Sequence, residues 1–178
     1  MAALRDILVV FLFALGGFST LSALCPPGWK DWHQSCYAIY SHRASSWADA
    51  SKFCESKQGH LVVPNSQAEN DFLRQMVMER FQTAKKRGVW IGCKRESVHG
   101  SFVCSGNTEG MSFTNWAPGY PKQEVRQCVV LWKGGNGTWR SSNCMANKER
   151  YVVCEMPNTP RVYCLTADEN GRFVKDLP

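Results

Sequence analysis

FTNWAPGYPKQEVRQCVVLWKGGNGTWRSSNC, running from Phe113 to Cys144, is the stretch from which the rest of the chain can be read. It opens on the turn Trp116-Ala-Pro-Gly119 and passes through a polar loop into Cys128-Val-Val-Leu-Trp132. It closes with Trp139, five residues before Cys144. Aromatics, Gly-rich turns and two cysteines this close describe a stapled loop on a short, largely buried strand. Loops held on a rigid scaffold are where binding chemistry concentrates.

The surrounding chain sets bounds on that loop. Its 178 residues suffice for one ordinary domain with a proper core. A hydrophobic content of 44% with 20% charged residues excludes a disordered chain. Nine cysteines point to disulfides and so to an oxidising compartment. The N-terminus agrees: Arg5 precedes the apolar run Ile7 to Phe18, and Leu21-Ser22-Ala23 follows, the plan of a signal peptide cleaved after Ala23. Twelve residues are short for a bilayer span, which needs roughly 20, and a signal-anchor is the alternative. The expected product is secreted and extracellular, without membrane insertion. Arg5 and Asp6 cancel, so the net charge of +6 survives cleavage. That balance suits acidic glycans or anionic surfaces, and the secretory route argues against nucleic acid.

Taken in order, Cys25 to Cys36 brackets a Pro-Gly turn and predicts a small hairpin closed by its own disulfide. Ser45-Ser46 predicts the cap of a helix from Trp47 to Gln58 with Gly59 as its stop. His60 to Pro64 predicts a short strand. Ser66 and Glu69 form a capping box before a helix whose stripe is Phe72, Leu73, Met76, Val77 and Phe81. Short β-like runs follow at Val89–Gly92, Gly100–Val103, Cys128–Trp132 and Tyr151–Cys154. Two helices and then several strands predict an α+β domain with a mostly antiparallel sheet. The tail adds one hairpin around Glu169-Asn170-Gly171, or is loose.

In this order the residues resemble the C-type lectin-like domain, in its long form, over Cys25 to Glu155. The resemblance rests on the Cys25/Cys36 hairpin, Cys54 in the first helix, SQAENDFL opening the second, Trp90-Ile-Gly92, Asn115-Trp116-Ala-Pro-Gly119, Cys128-Val, Trp139, Cys144 and Tyr151-Val-Val-Cys154-Glu155. It implies a domain over residues 24–156, after a signal peptide at 1–23 and before a tail at 157–178. It also implies the pairings Cys54–Cys154, Cys128–Cys144 and Cys25–Cys36. In the chain-entropy model the first contributes about 4.7 kcal/mol and the second about 3 kcal/mol. Cys93 and Cys104 depart from the family pattern. Their place on adjacent runs across a turn favours a fourth disulfide over two buried thiols. Cys164 is left over in the tail, and points to an interchain bridge, as in a disulfide-linked dimer, or to an exposed reactive thiol.

Calcium-dependent members of that family hold a sugar through a Glu-Pro-Asn or Gln-Pro-Asp triplet, an acidic pair and a Trp-Asn-Asp triplet. Calcium needs about 6–8 oxygen ligands, several of them carboxylates. Here the corresponding residues read Tyr120-Pro121-Lys122, Arg126-Gln127 and Trp139-Arg140-Ser141, and no Asp lies between Asp71 and Asp168. Such a set repels a cation. An auxiliary calcium beside the first helix would use Glu155, but its helix partner is Ser51, so this site is not expected either. The chain calls for no metal or cofactor.

What the loop presents is Tyr120, Lys122, Arg126, Trp139 and Arg140 as candidate ligand-binding residues. Arg offers a planar fork to carboxylate or sulfate, and aromatics stack on sugar faces or anchor protein interfaces. The alternatives are a core role for Trp139 and a solvated rim for the three cations. Asn136-Gly-Thr138 is an N-glycosylation sequon beside the loop. The basic run Lys85-Lys86-Arg87 reads as a solvated turn that could join Lys94 and Arg95 in an anion patch. No HExxH, CxxC or Gly-x-Ser-x-Gly element occurs, so no enzyme is expected. Two functions follow from the resemblance: calcium-independent binding of acidic or sulfated carbohydrate, or a protein-interaction module acting on a receptor or other protein target.

Overall fold

The computed structural model describes residues 25–81, 88–106, 111–123, 127–132, 136–158, 165–167 and 173–175. Two long strands dominate it, β2 (Ser35–Ser46) and β8 (Met145–Pro157), paired antiparallel. Around them lie β1 (Lys30–Trp32), β3 (His60–Leu61), β4 (Val89–Lys94), β5 (Val103–Cys104), β6 (Cys128–Leu131) and β7 (Trp139–Ser142). The sheet order is β1-β2-β8-β4-β6-β7, with β3 on β8 and β5 on β4. The β4–β8 contact, at Val89 and Tyr151, is the parallel one among these pairings. In the tail, β9 (Leu165–Ala167) pairs antiparallel with β10 (Phe173–Lys175) as a separate hairpin.

Helix α1 (Trp47–Glu55) and helix α2 (Gln67–Arg80) cover opposite faces of the sheet. On one face Leu73, Met76 and Val77 of α2 meet Ile91, Val129, Leu131, Trp139 and Val153. On the other, Ala50 and Cys54 of α1 meet Trp90, Cys128, Val130, Val152 and Cys154. Successive strand residues point to opposite faces. With both faces covered, β6 and β8 therefore read as unbroken apolar runs, CVVL and YVVC, instead of alternating.

Four disulfides join Cys25 to Cys36, Cys54 to Cys154, Cys93 to Cys104 and Cys128 to Cys144. Cys93 and Cys104 sit directly opposite one another in the β4–β5 pair. Cys25, Cys36 and Asp31 cluster closely, but both sulfurs are spent on each other and hold no metal. Cys164 and the turn at 169–171 lie outside the described residues, as do residues 1–24, Arg126 and the run 85–87.

Several local expectations need correction. The first helix ends at Glu55 with Ser56 as its cap, and the left-handed residue behind it is Gln58, at φ +62°, not Gly59. Gly59 has a different reason: a Cβ there would stand 2.6 Å from the Glu155 carbonyl oxygen. The strand at 60–64 is only His60–Leu61, and the run 100–103 gives only Val103–Cys104. In the capping box, Ser66 Oγ accepts from the Glu69 amide at 3.1 Å, while the Glu69 carboxylate reaches back to the Asn65 amide at 2.8 Å, one residue before the cap.

Candidate functional site

The loop from Phe113 to Lys122 is tied to β7 by its backbone. The Trp139 amide donates to Asn115 O at 2.7 Å, and the Ala117 amide donates to Trp139 O at 2.9 Å. The Tyr120 amide then donates to Ala117 O at 3.0 Å. Pro118 and Gly119, the latter at φ +75°, occupy the two corners of that turn. Such a turn needs a residue that tolerates positive φ at its second corner, which glycine supplies without strain. Together these bonds deliver Tyr120 and Lys122 beside the strand that carries Arg140.

Two buried groups fix the far side of the loop. Ser141, 2% exposed, accepts from the Lys122 amide through its hydroxyl at 2.8 Å. Arg95, 4% exposed, donates from a terminal guanidinium nitrogen to Lys122 O at 2.7 Å and rests 5.0 Å from the Phe102 ring centroid. Arg95 is thus a support beneath the loop, not part of a surface patch. Lys94 is paired with Glu96 at 2.6 Å.

Trp139 is fully enclosed. Its indole N–H donates to Asn70 Oδ1 of α2 at 2.7 Å, and Phe113 and Trp116 stand edge-on to it at 5.5 and 5.9 Å. A ligand cannot reach it, so Trp139 leaves the contact set and becomes the residue that positions the loop. The aromatic that sequence reasoning passed over is Trp132, at the end of β6 and partly exposed. Its amide donates to Thr138 O at 2.9 Å, closing the β6–β7 turn that carries the sequon. Asn136 is exposed at the tip of that turn with φ +55°.

At the surface, Arg140 lies between two rings. Its guanidinium carbon is 4.7 Å from the Trp132 centroid and 5.6 Å from that of Tyr120. The Lys122 ammonium approaches the same Tyr120 ring at 5.8 Å. All three distances fall within the reach of a cation–π attraction, about 6 Å. Among the described residues the Arg140 side chain makes no hydrogen bond or ion pair, and its Nε is buried without a partner. Among the described residues, two cations therefore converge on one tyrosine with no carboxylate between them. The arrangement presents donors to an anion.

Two acids are buried elsewhere. Glu69 and Glu155, 4% and 5% exposed, meet beneath Tyr37, which donates to Glu69 at 2.7 Å and lies 3.4 Å from Glu155. Glu155 also accepts from Ser35 Oγ at 2.9 Å and from the Val63 amide at 3.1 Å. Burial, then the charge of Glu69, pushes its carboxyl above the ordinary range, against the lowering influence of the Val63 amide. The Tyr37 hydroxyl is raised far above its normal value by burial and then by Glu155. Within α1, Ser51 donates to the Glu55 carboxylate at 2.8 Å.

Comparison with known proteins places these features. The family described as Lectin C-type domain matches residues 43–156. The chain belongs to the C-type lectin domain family. Snaclec agglucetin subunit alpha-1 of Deinagkistrodon acutus is 36% identical over 154 residues, 85% of this chain and 93% of that one. A perlucin-like protein of Mytilus galloprovincialis is 28% identical over 150 residues, 82% of this chain and 94% of its own. Among solved structures, the cow C-type carbohydrate-recognition domain of CD23, determined with an oligosaccharide, superposes with a TM-score of 0.65. It is 28% identical, over 78% of this chain and 99% of that one. This C-type lectin domain thus keeps the α+β fold and the disulfide-stapled loop region of its relatives. Among its described residues, no helix is long and apolar enough to cross a membrane.

Proposed function

We propose that this C-type lectin domain binds acidic or sulfated carbohydrate without calcium, through Tyr120, Lys122, Arg126 and Arg140, with Trp132 backing the guanidinium. The observation that carries it is the Arg140 guanidinium, held between the Tyr120 and Trp132 rings beside Lys122 and with no hydrogen bond or ion pair among the described residues. A guanidinium whose plane is fixed by an aromatic face presents its remaining N–H groups in the geometry that matches sulfate or carboxylate. The chain would be secreted after removal of residues 1–23, leaving the domain at 24–156 and the tail at 157–178, with Asn136 as its glycosylation site.

The test is a glycan array run with calcium, with chelator and at raised salt. Binding confined to sulfated or carboxylated glycans, indifferent to chelator and lost with salt, is the expected result. Mannose or galactose binding that disappears with chelator overturns it.

A second reading is favoured by Cys164, which falls outside the four intrachain disulfides, and by similarity to a protein named as a subunit. In it the domain recognises a protein as part of a dimer linked through Cys164. A ligand that survives glycosidase but not protease, with a non-reducing gel band halved in mass by Cys164→Ser, supports this one.

A further inference from the structure

Arg140 has a counterpart further along the same face of the sheet. Trp90, Val130 and Arg140 are register partners across β4, β6 and β7, and Cys128 is the partner of Ser142. Residues directly opposite one another share a face, so Arg140 and Ser142 stand on the Trp90 side, the side of α1. Arg150 reaches onto that side from β8. Its guanidinium carbon lies 5.3 Å from the Trp90 centroid, and a terminal nitrogen donates to Ser142 Oγ at 3.3 Å.

The two arginines are built alike. Each guanidinium lies against an indole, Trp132 for Arg140 and Trp90 for Arg150. Each keeps a buried Nε with no partner, and neither is paired with a carboxylate among the described residues. Glu149, the acid adjacent to Arg150 in sequence, is engaged by Arg43 at 3.5 Å. Removal from water lowers the Arg150 pKa below its ordinary value, as expected of a cation withdrawn from solvent with no counter-charge. Arg140 and Ser142 are two residues apart on one strand, a step of about 7 Å. The Arg150 guanidinium is thus bonded to a residue one strand step beyond Arg140.

We infer that the anion site continues from Arg140 along the β7 edge, past Ser142, to Arg150, all three partly exposed, and that its ligand is a carbohydrate chain carrying at least two anionic groups. One sulfate or carboxylate engages Arg140 and Lys122, and a second, on a neighbouring sugar unit, engages Arg150. This rests on the anionic-carbohydrate reading above and adds the length and valency of the ligand.

The experiment titrates the full chain with two probes, galactose 6-sulfate and a heparin hexasaccharide. It compares wild type with Arg150→Met, which keeps the apolar stem over Trp90, Arg150→Lys, which keeps the charge, and Arg140→Met. Arg150→Met is expected to weaken the hexasaccharide about tenfold, the scale of one charge-assisted hydrogen-bonding partner, while leaving the monosulfated sugar within about twofold. Arg150→Lys should fall between, and Arg140→Met should weaken both probes. If Arg150→Met fails to fold, the same selective loss in Arg150→Lys decides the matter. Equal weakening of both probes by the Arg150 variants, or no effect on either, overturns the extended site while leaving the anion site intact. Wild-type protein that binds neither probe overturns the parent reading and this one with it. A poly-glutamate peptide that binds as tightly as the hexasaccharide overturns the inference by assigning the face to an acidic protein.

Discussion

The Trp139 indole N–H donates to the Asn70 side-chain oxygen at 2.7 Å, and both residues are fully enclosed. The Asn70 amide nitrogen donates in turn to Gly137 O at 3.2 Å. One side chain of α2 thereby satisfies both the core tryptophan of β7 and the turn that precedes it. Asn70→Ala leaves a buried N–H and a buried carbonyl with one partner fewer, a cost of about 1–3 kcal/mol each at most. For a chain of this size each kcal/mol lowers the melting temperature by roughly 2–4 °C. Calorimetry of Asn70→Ala should show a loss in that range, and an unchanged melting temperature would deny the bond its role.

Arg140 gives the direct measure of ligand contact. Arg140→Ala removes the guanidinium without touching the enclosed Trp139 or the Ser141 hydroxyl that anchors the loop. Affinity for the sulfated ligand should fall by tenfold to a hundredfold, corresponding to about 1.5–3 kcal/mol for a charge-assisted contact. The melting temperature should barely move. Isothermal titration beside a thermal melt separates the two effects.

Glu155 predicts an unusual pH dependence. Its folded pKa is raised above the unfolded value, so between the two the native state binds more protons than the unfolded chain. Stability therefore falls as pH rises through the folded value, and is regained on acidification. Glu155→Gln removes this component: it should match wild type at acid pH and exceed it in stability at neutral pH. A variant less stable than wild type at every pH would show that the ionised carboxylate, with its Ser35 and Val63 donors, outweighs the burial cost.

The Cys93–Cys104 bond closes a separation of 11 residues. In the chain-entropy model such a loop contributes about 3 kcal/mol, against about 4.7 kcal/mol for a loop of 100 residues. Paired Cys→Ser changes at Cys93 and Cys104 should therefore leave a folded domain with a lowered denaturation midpoint. The same change at Cys54 and Cys154 should cost more. Urea titrations of the two double variants rank them.

The helices were legible because their caps are side-chain chemistry close in sequence: Ser46 accepting from Asp49 and Ser66 accepting from Glu69. β2 was not. Its register shifts between Tyr40 and Arg43, and again between Ala44 and Ser46, so SCYAIYSHRASS carries no steady alternation to read. Within the loop, the residue types at 120, 122 and 140 already suggested the anion site proposed above, since charge needs no geometry to be noticed. The division of labour did need it. Trp139 is inside and Trp132 at the surface because the alternation of β6 and β7 is set by pairing partners far apart in sequence. Arg95 and Glu69 look like surface residues until the loop above one and Tyr37 beside the other are in place.

Where the polypeptide enters and leaves this domain has a mechanical consequence. The Asn158 amide donates to Gln34 O and its side chain to Asp31, so the segments before Cys25 and after Asn158 attach at the β1–β2–β8 corner. β7 forms the opposite edge of the sheet. A pull on the tail beyond Asn158 would load β8 from Pro157 back through Met156 and Glu155 to Cys154, where the disulfide to Cys54 passes the force into α1. The arginine-bearing edge lies outside that path.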